Sequence, residues 1–161
     1  MAPARVECPG CGLELPRNPY PYDGYYLASQ ECWSVYNEVL AREYQNAMLF
    51  GRVHQLTVDA YAVQHAGGPH PDKSVCVHLI GLYLVLERDV PPPLVPRRLQ
   101  RLASRVAAWP HFTPPEDRGR LTVLGVAQTT SPEEHVRQSR AWAESVWRAW
   151  APHHSVIAAL A

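Results

Sequence analysis

"HQLTVDAYAVQH", residues 54–65, begins and ends on histidine and carries an aspartate and a tyrosine between. The two histidines stand eleven positions apart, about three turns of α-helix, so on a helix they share a face. On the same wheel His54, Val58, Tyr61 and His65 fall within an arc of about 60°, with Thr57 and Gln64 on one flank. Asp59 lies about 140° from His54 and reads as a solvated or ion-paired carboxylate. Gly51 before the stretch and "GGPHP" (67–71) after it bound a helix over about 52–66.

The chain on either side is also helical. In "ASQECWSVYNEVLAREY" (28–44), Trp33, Tyr36, Leu40 and Tyr44 recur at helical spacing and Ser29 can cap the start, which predicts a helix over about 30–48. A third helix is expected over 73–88, stopped by "DVPPPLVP", and a fourth over 96–108. "LTVLGV" (121–126) has the composition of a short strand but no partner strand. "TSPEEHV" then opens a long helix, with Ser131 as cap and Pro132 at the first position. Val136, Ala143, Val146, Trp147 and Trp150 form its inner stripe, and a last short helix follows Pro152. The expected fold is all-α, a helical bundle with an irregular N-terminal zinc-knuckle segment. One domain is expected over 1–161, with 1–28 as the cap and 29–161 as the bundle.

Composition narrows the function classes. Of 161 residues, 47% are hydrophobic and 19% charged, a globular balance. Fifteen basic and fifteen acidic side chains cancel, so neither nucleic acid nor a membrane surface is an expected partner. "RRLQRLASR" (97–105) reads as the solvated side of an amphipathic helix. "MAPARVECPG" contains no apolar run of a signal peptide, and "VCVHLIGLYLVLE" (75–87) is too short to span a bilayer. A cytoplasmic protein is expected. Five Trp and eight Tyr supply core and could line a homodimer interface.

The cysteines carry the chemistry. "CPGCG" places Cys8 and Cys11 in a C-x-x-C turn of zinc-knuckle shape, both sulfurs able to face one ion. The redox alternative usually accompanies a βαβ pattern, which is missing here. Cys32, at the first turn of a long helix, gains a dipole that favours its thiolate. Cys76, among Val75, Val77 and Ile80, reads as a core thiol. Zinc normally takes four ligands. If the first two helices run antiparallel, His65 returns beside residues 33–35, whereas His54 lies roughly 21 Å from Cys32 along the axis. The expected metal ligands are therefore Cys8, Cys11, Cys32 and His65, with Zn²⁺ as the cofactor and His78 as second choice or outer partner.

"CPGCGLELP", "ECW", "HQLTVDAYAVQH", "VHLIGLYLVLER" and "WAESVWRAWAPHH" together resemble an uncharacterised bacterial family, known only as a domain of unknown function, over nearly the whole chain. The resemblance implies that the cysteine knuckle and the histidine helix belong to one small domain. It implies no reaction. Phosphate-loop, dinucleotide and G-x-S-x-G signatures are missing, as is H-E-x-x-H.

Two readings follow. In the first, a closed zinc site pins the N-terminal segment to the bundle, and function lies in binding a small molecule or protein partner. In the second, the protein is a zinc-dependent enzyme of hydrolase or thiol-transfer type, with His54, Tyr61 and Gln64 lining its pocket and His54, Tyr61 and His78 as catalytic candidates. His135, His153 and His154 are expected at the surface, or together with His54 or His78 in a second, histidine-only site between helices.

Overall fold

Asn46 sets the register of the bundle. Its side-chain oxygen accepts from the backbone N–H groups of Met48 and Leu49 at 3.1 and 3.2 Å, so the chain breaks there and a new helix starts at Ala47. The structure, a computed structural model, describes residues 2–161. Helix α1 spans Gln30–Gln45 and α2 spans Ala47–Gln64. The expected break at Gly51 is thus displaced by five residues. A helix-interior glycine costs about 1 kcal/mol, and satisfying two orphan amides at Asn46 outweighs that.

Ser29 caps α1 as expected, its hydroxyl accepting from Cys32 N at 3.1 Å. The other helices are α3 (Asp72–Leu86), α4 (Val95–Ala103), α5 (Val123–Ala127), α6 (Pro132–Ala149) and α7 (His154–Leu160). Two corrections stand out. "LTVLGV" forms a short helix, not a strand, because no strand is near it and Arg42 collects its terminal carbonyls at Val126, Ala127 and Thr129. Helix α4 stops at Ala103 rather than near 108, where the Ser104 hydroxyl turns back onto the Arg101 carbonyl at 2.7 Å.

The hydrophobic helix α2 is the hub, packing on α1, α3 and α6. Helix α5 wedges between α1 and α6, while α4 and α7 cover α3. The core is helix-on-helix, with Trp142, Trp150, Tyr61, Leu56, Leu79, Ile80 and Leu82 all sealed from solvent. Burying each such side chain contributes roughly 1.5–3 kcal/mol. Polar residues on α2 are placed as carefully as the apolar ones. The Gln64 amide donates to the carbonyls of Arg118 and Leu121 at 3.0 and 2.8 Å and accepts from Trp142 Nε1 at 2.9 Å. Asp59, fully buried, accepts from Gln55 and from His78 Nδ1, so it is hydrogen-bonded rather than solvated. Asp59 fits only because α3 presents Gly81 to it. A Cβ there would overlap its carboxylate, with Cγ at 2.7 Å.

The N-terminal cap is less irregular than expected. Strands β1 (Arg5–Glu7) and β2 (Glu14–Pro16) pair antiparallel, with Val6 opposite Leu15. No helix of the described residues is long and apolar enough to cross a membrane.

Candidate metal centre

The hairpin holds "CPGCG" at its tip. Cys8 N donates to Leu13 O at 2.8 Å and Gly12 N to Cys8 O at 2.9 Å, which folds the six linking residues into a tight knuckle. Gly12 sits at φ +75°, a conformation open to glycine at little cost. Gly10 is required for another reason. Its missing Cβ would strike the Leu27 carbonyl and lie 2.6 Å from His65 Cδ2. The knuckle therefore rests directly on the histidine, and Leu27 N ties the following loop to His65 O at 2.9 Å.

His65 is the C-cap of α2. Its Nδ1 lies 2.8 Å from the carbonyl oxygen of Tyr61. A carbonyl only accepts, so Nδ1 carries the hydrogen and Nε2 keeps its lone pair. That lone pair faces Cys32 Sγ at 3.5 Å. Cys32 Sγ lies 3.8 Å from Cys11 Sγ and receives the Tyr61 hydroxyl at 3.6 Å. One donor atom from each of Cys8, Cys11, Cys32 and His65 lies within 4.8 Å of all the others. Three of the four residues are sealed, at 1% exposure or less, and Cys11 is half-buried. Such a set of soft donors around one point can hold a metal ion.

Left to themselves, three thiols this close ionise one at a time. Hydrogen bonds from Cys11 and Cys32 hold Cys8 far below the usual thiol range. Cys32 draws the Cys11 thiol down, but its bond to the Cys8 thiolate and its burial together push it up to about 12. Cys32 is driven far up by its bonds to Cys11 and Cys8 and by burial. Like charges at this spacing repel strongly in a dry site.

A model for a family of unknown function, DUF5946, matches residues 6–151. The chain belongs to this family. No curated protein and no solved structure matches it. The DUF5946 match covers both the cysteine hairpin and the histidine helix, in keeping with the resemblance read from the motifs.

In this DUF5946 chain the expected ligand residues converge, while the side chains expected to line a pocket are each engaged with a different neighbour. His54 is bound to Glu43 Oε2 at 2.8 Å, eleven residues and about 16 Å from His65 along α2. Tyr61 is sealed in the core, stacked on Tyr36 with ring centroids 3.8 Å apart. Gln64 spends its amide on the three internal bonds described above. His54, Tyr61 and Gln64 thus each serve a different neighbour. His78 stays outside the thiol group, since its Nδ1 is committed to Asp59 at 2.8 Å. Cys76 is a core thiol, donating to Pro110 O at 3.2 Å, and burial pushes it up to about 11.

His153 and His154 are half-buried rather than exposed. Each gives its Nε2–H to a carbonyl, Thr113 at 3.1 Å and Trp147 at 2.8 Å, and His154 stacks on Trp147. Arg118 was invisible to spacing arguments. It caps the end of α2 through the carbonyls of Gln64 and Ala66 at 3.1 and 2.5 Å, 54 positions from Gln64 in sequence.

Proposed function

We propose that Cys8, Cys11, Cys32 and His65 hold one zinc ion, which pins the N-terminal hairpin to the open end of the α1–α2 pair. The observation that carries this reading is the convergence of three thiols and one imidazole lone pair within 4.8 Å, from three separate parts of the chain. Three sulfurs and one nitrogen suit a tetrahedral borderline-soft dication. The Nδ1–H bond of His65 to its own helix supports the assignment, because zinc-bound imidazoles usually have their second nitrogen fixed in this way. Zinc would neutralise thiolates that otherwise oppose one another.

A structural role fits better than a catalytic one. Four protein donors leave no position for an activated water. Of the side chains expected to orient a substrate, His54 and Gln64 are bound to other partners, and the Tyr61 hydroxyl is given to Cys32 itself. Activity of a hydrolase or thiol-transfer type is the weaker alternative. The function then lies in what the stapled domain binds. Such a thiolate site needs reducing surroundings, which favours the cytoplasm.

The test is zinc content by elemental analysis of wild type, Cys32→Ser and His65→Ala, with folding followed by circular dichroism. The expected result is one zinc per chain in wild type, lost from both variants together with ordered structure in the cap. Zinc retained in His65→Ala with a water in its place would revive the enzyme reading. No zinc in protein purified under reducing conditions, with none taken up on addition, would end the metal assignment.

A further inference from the structure

Glu43 is a sealed carboxylate that takes no part in the thiol site. It lies in the last turn of α1, where the helix dipole disfavours negative charge. Three donors compensate it: Thr57 Oγ1 at 2.6 Å, His54 Nδ1 at 2.8 Å and His135 Nε2 at 3.0 Å. His135 is buried rather than at the surface as expected, and it meets His54 only through this glutamate, not in a histidine-only site. These three residues are not among the groups with metal-ligand spacing in the described residues.

His135, only 2% exposed, also lines a cleft of about 360 Å³ with Arg42, Asn46, Thr129, Thr130 and Ser131. No acidic side chain lines it. Because Nε2–H of His135 is given to Glu43, Nδ1 is the nitrogen left without a protein partner among the described residues. Among the described residues Arg42 bonds only to uncharged carbonyls and meets no carboxylate. Two 18-residue helices begin at the cleft, α2 behind Asn46 and α6 behind Ser131, and each brings the positive end of its dipole.

We propose that this cleft binds a small oxyanion, a carboxylate or a phosphate-like group, which accepts a hydrogen bond from His135 Nδ1 while Glu43 holds the opposite ring nitrogen. With Nε2–H already donated, a second donation requires the imidazolium. Binding therefore takes up one proton from solvent onto Nδ1, and no other bond is made or broken. The titratable and charged groups around His135 are Glu43 and Arg42 on α1, His54 on α2, and Glu133 and Glu134 in the first turn of α6, the last engaged by Thr130 at 3.0 Å. The pair acts as a proton-linked anion receptor, independent of the zinc site at the other end of α2.

Isothermal titration of the full chain with sulfate and, separately, with acetate tests this at about pH 6 and pH 8, in two buffers of different ionisation enthalpy. Sulfate stands for the tetrahedral anions and acetate for carboxylates. The expected result is one saturable site for at least one of them, with affinity about tenfold higher at the lower pH and a proton uptake averaging about half a proton between the two pH values. Preference between the probes identifies the ligand class. His135→Gln, which cannot become cationic, should bind about tenfold more weakly and lose the pH dependence. Absence of saturable binding of both probes, or binding that ignores pH and His135→Gln, overturns the proposal. Should the variant fail to fold, nitrogen NMR of wild type decides: a His135 Nδ1 resonance that does not move on adding either probe is equally fatal.

Discussion

His65 Nδ1 stands 2.8 Å from the carbonyl oxygen of Tyr61, one turn back on the same helix. That single bond orients the imidazole and assigns its hydrogen, so Nε2 is presented to Cys32, 3.5 Å away, before any ligand arrives. The same Tyr61 then returns its own hydroxyl to Cys32. One turn of α2 thus both supplies a donor atom and supports it.

Removing the metal should release the cap. A chelator strong enough to strip zinc is expected to lower the melting temperature, and one equivalent of zinc should restore it. Amide exchange should localise the loss to the β1–β2 hairpin and its seat on Leu27, with α3 and α6 protected throughout. Uniform exchange over the whole chain would instead make the zinc a condition of the bundle itself.

Gly10→Ala tests the contact between knuckle and histidine. The added methyl meets the Leu27 carbonyl, which is backbone and cannot swing away, and His65 Cδ2 at 2.6 Å. Zinc affinity, measured by competition with a coloured chelator, should fall by about tenfold or more, the equivalent of a strain of at least 1–2 kcal/mol.

Gly81→Ala separates propensity from packing. By helix propensity alone the change would stabilise α3 by about 1 kcal/mol. The new Cβ, however, overlaps the Asp59 carboxylate, which Gln55 and His78 hold in place. Displacing a buried, hydrogen-bonded carboxylate costs about 3 kcal/mol or more, so the net effect in urea unfolding should be destabilising by about 2 kcal/mol or more. A stabilised variant would mean that Asp59 can leave the interface.

Stability should fall in mild acid through His70. Burial lowers its imidazole to about 4, against an ordinary value of 6.5. The unfolded chain therefore binds a proton near pH 6 that the folded chain refuses. Stability is complete above about pH 6.5 and declines as the pH drops towards 4. Urea midpoints across that range should flatten in His70→Gln, after allowance for the lost Ser74 bond at 2.7 Å.

A second acid transition belongs to Glu43. Burial alone would raise its carboxyl, but the bonds from His135, His54 and Thr57 win and hold it below 4.5. Its contribution is present above that value and is lost only as pH falls through the lower folded one. Glu43→Leu should remove this second transition and leave the decline due to His70 in place.

Sequence periodicity was enough for the helices around "HQLTVDAYAVQH", because an apolar stripe at 3.6-residue spacing has few other ways to bury itself. Residue type and helix length were enough to bring His65, and not His54, beside Cys32. Both facts are local or nearly so. Spacing could not show that Asn46, rather than Gly51, breaks the chain, since a cap competes with a glycine only once both ends are placed. Nor could it show that Glu43 would gather His54 and His135 from positions 11 and 92 residues away, or that Gln64 would serve Trp142 rather than a pocket. A polar side chain buried among three helices takes whatever partner the packing brings within 3 Å, and only the tertiary structure decides which one that is.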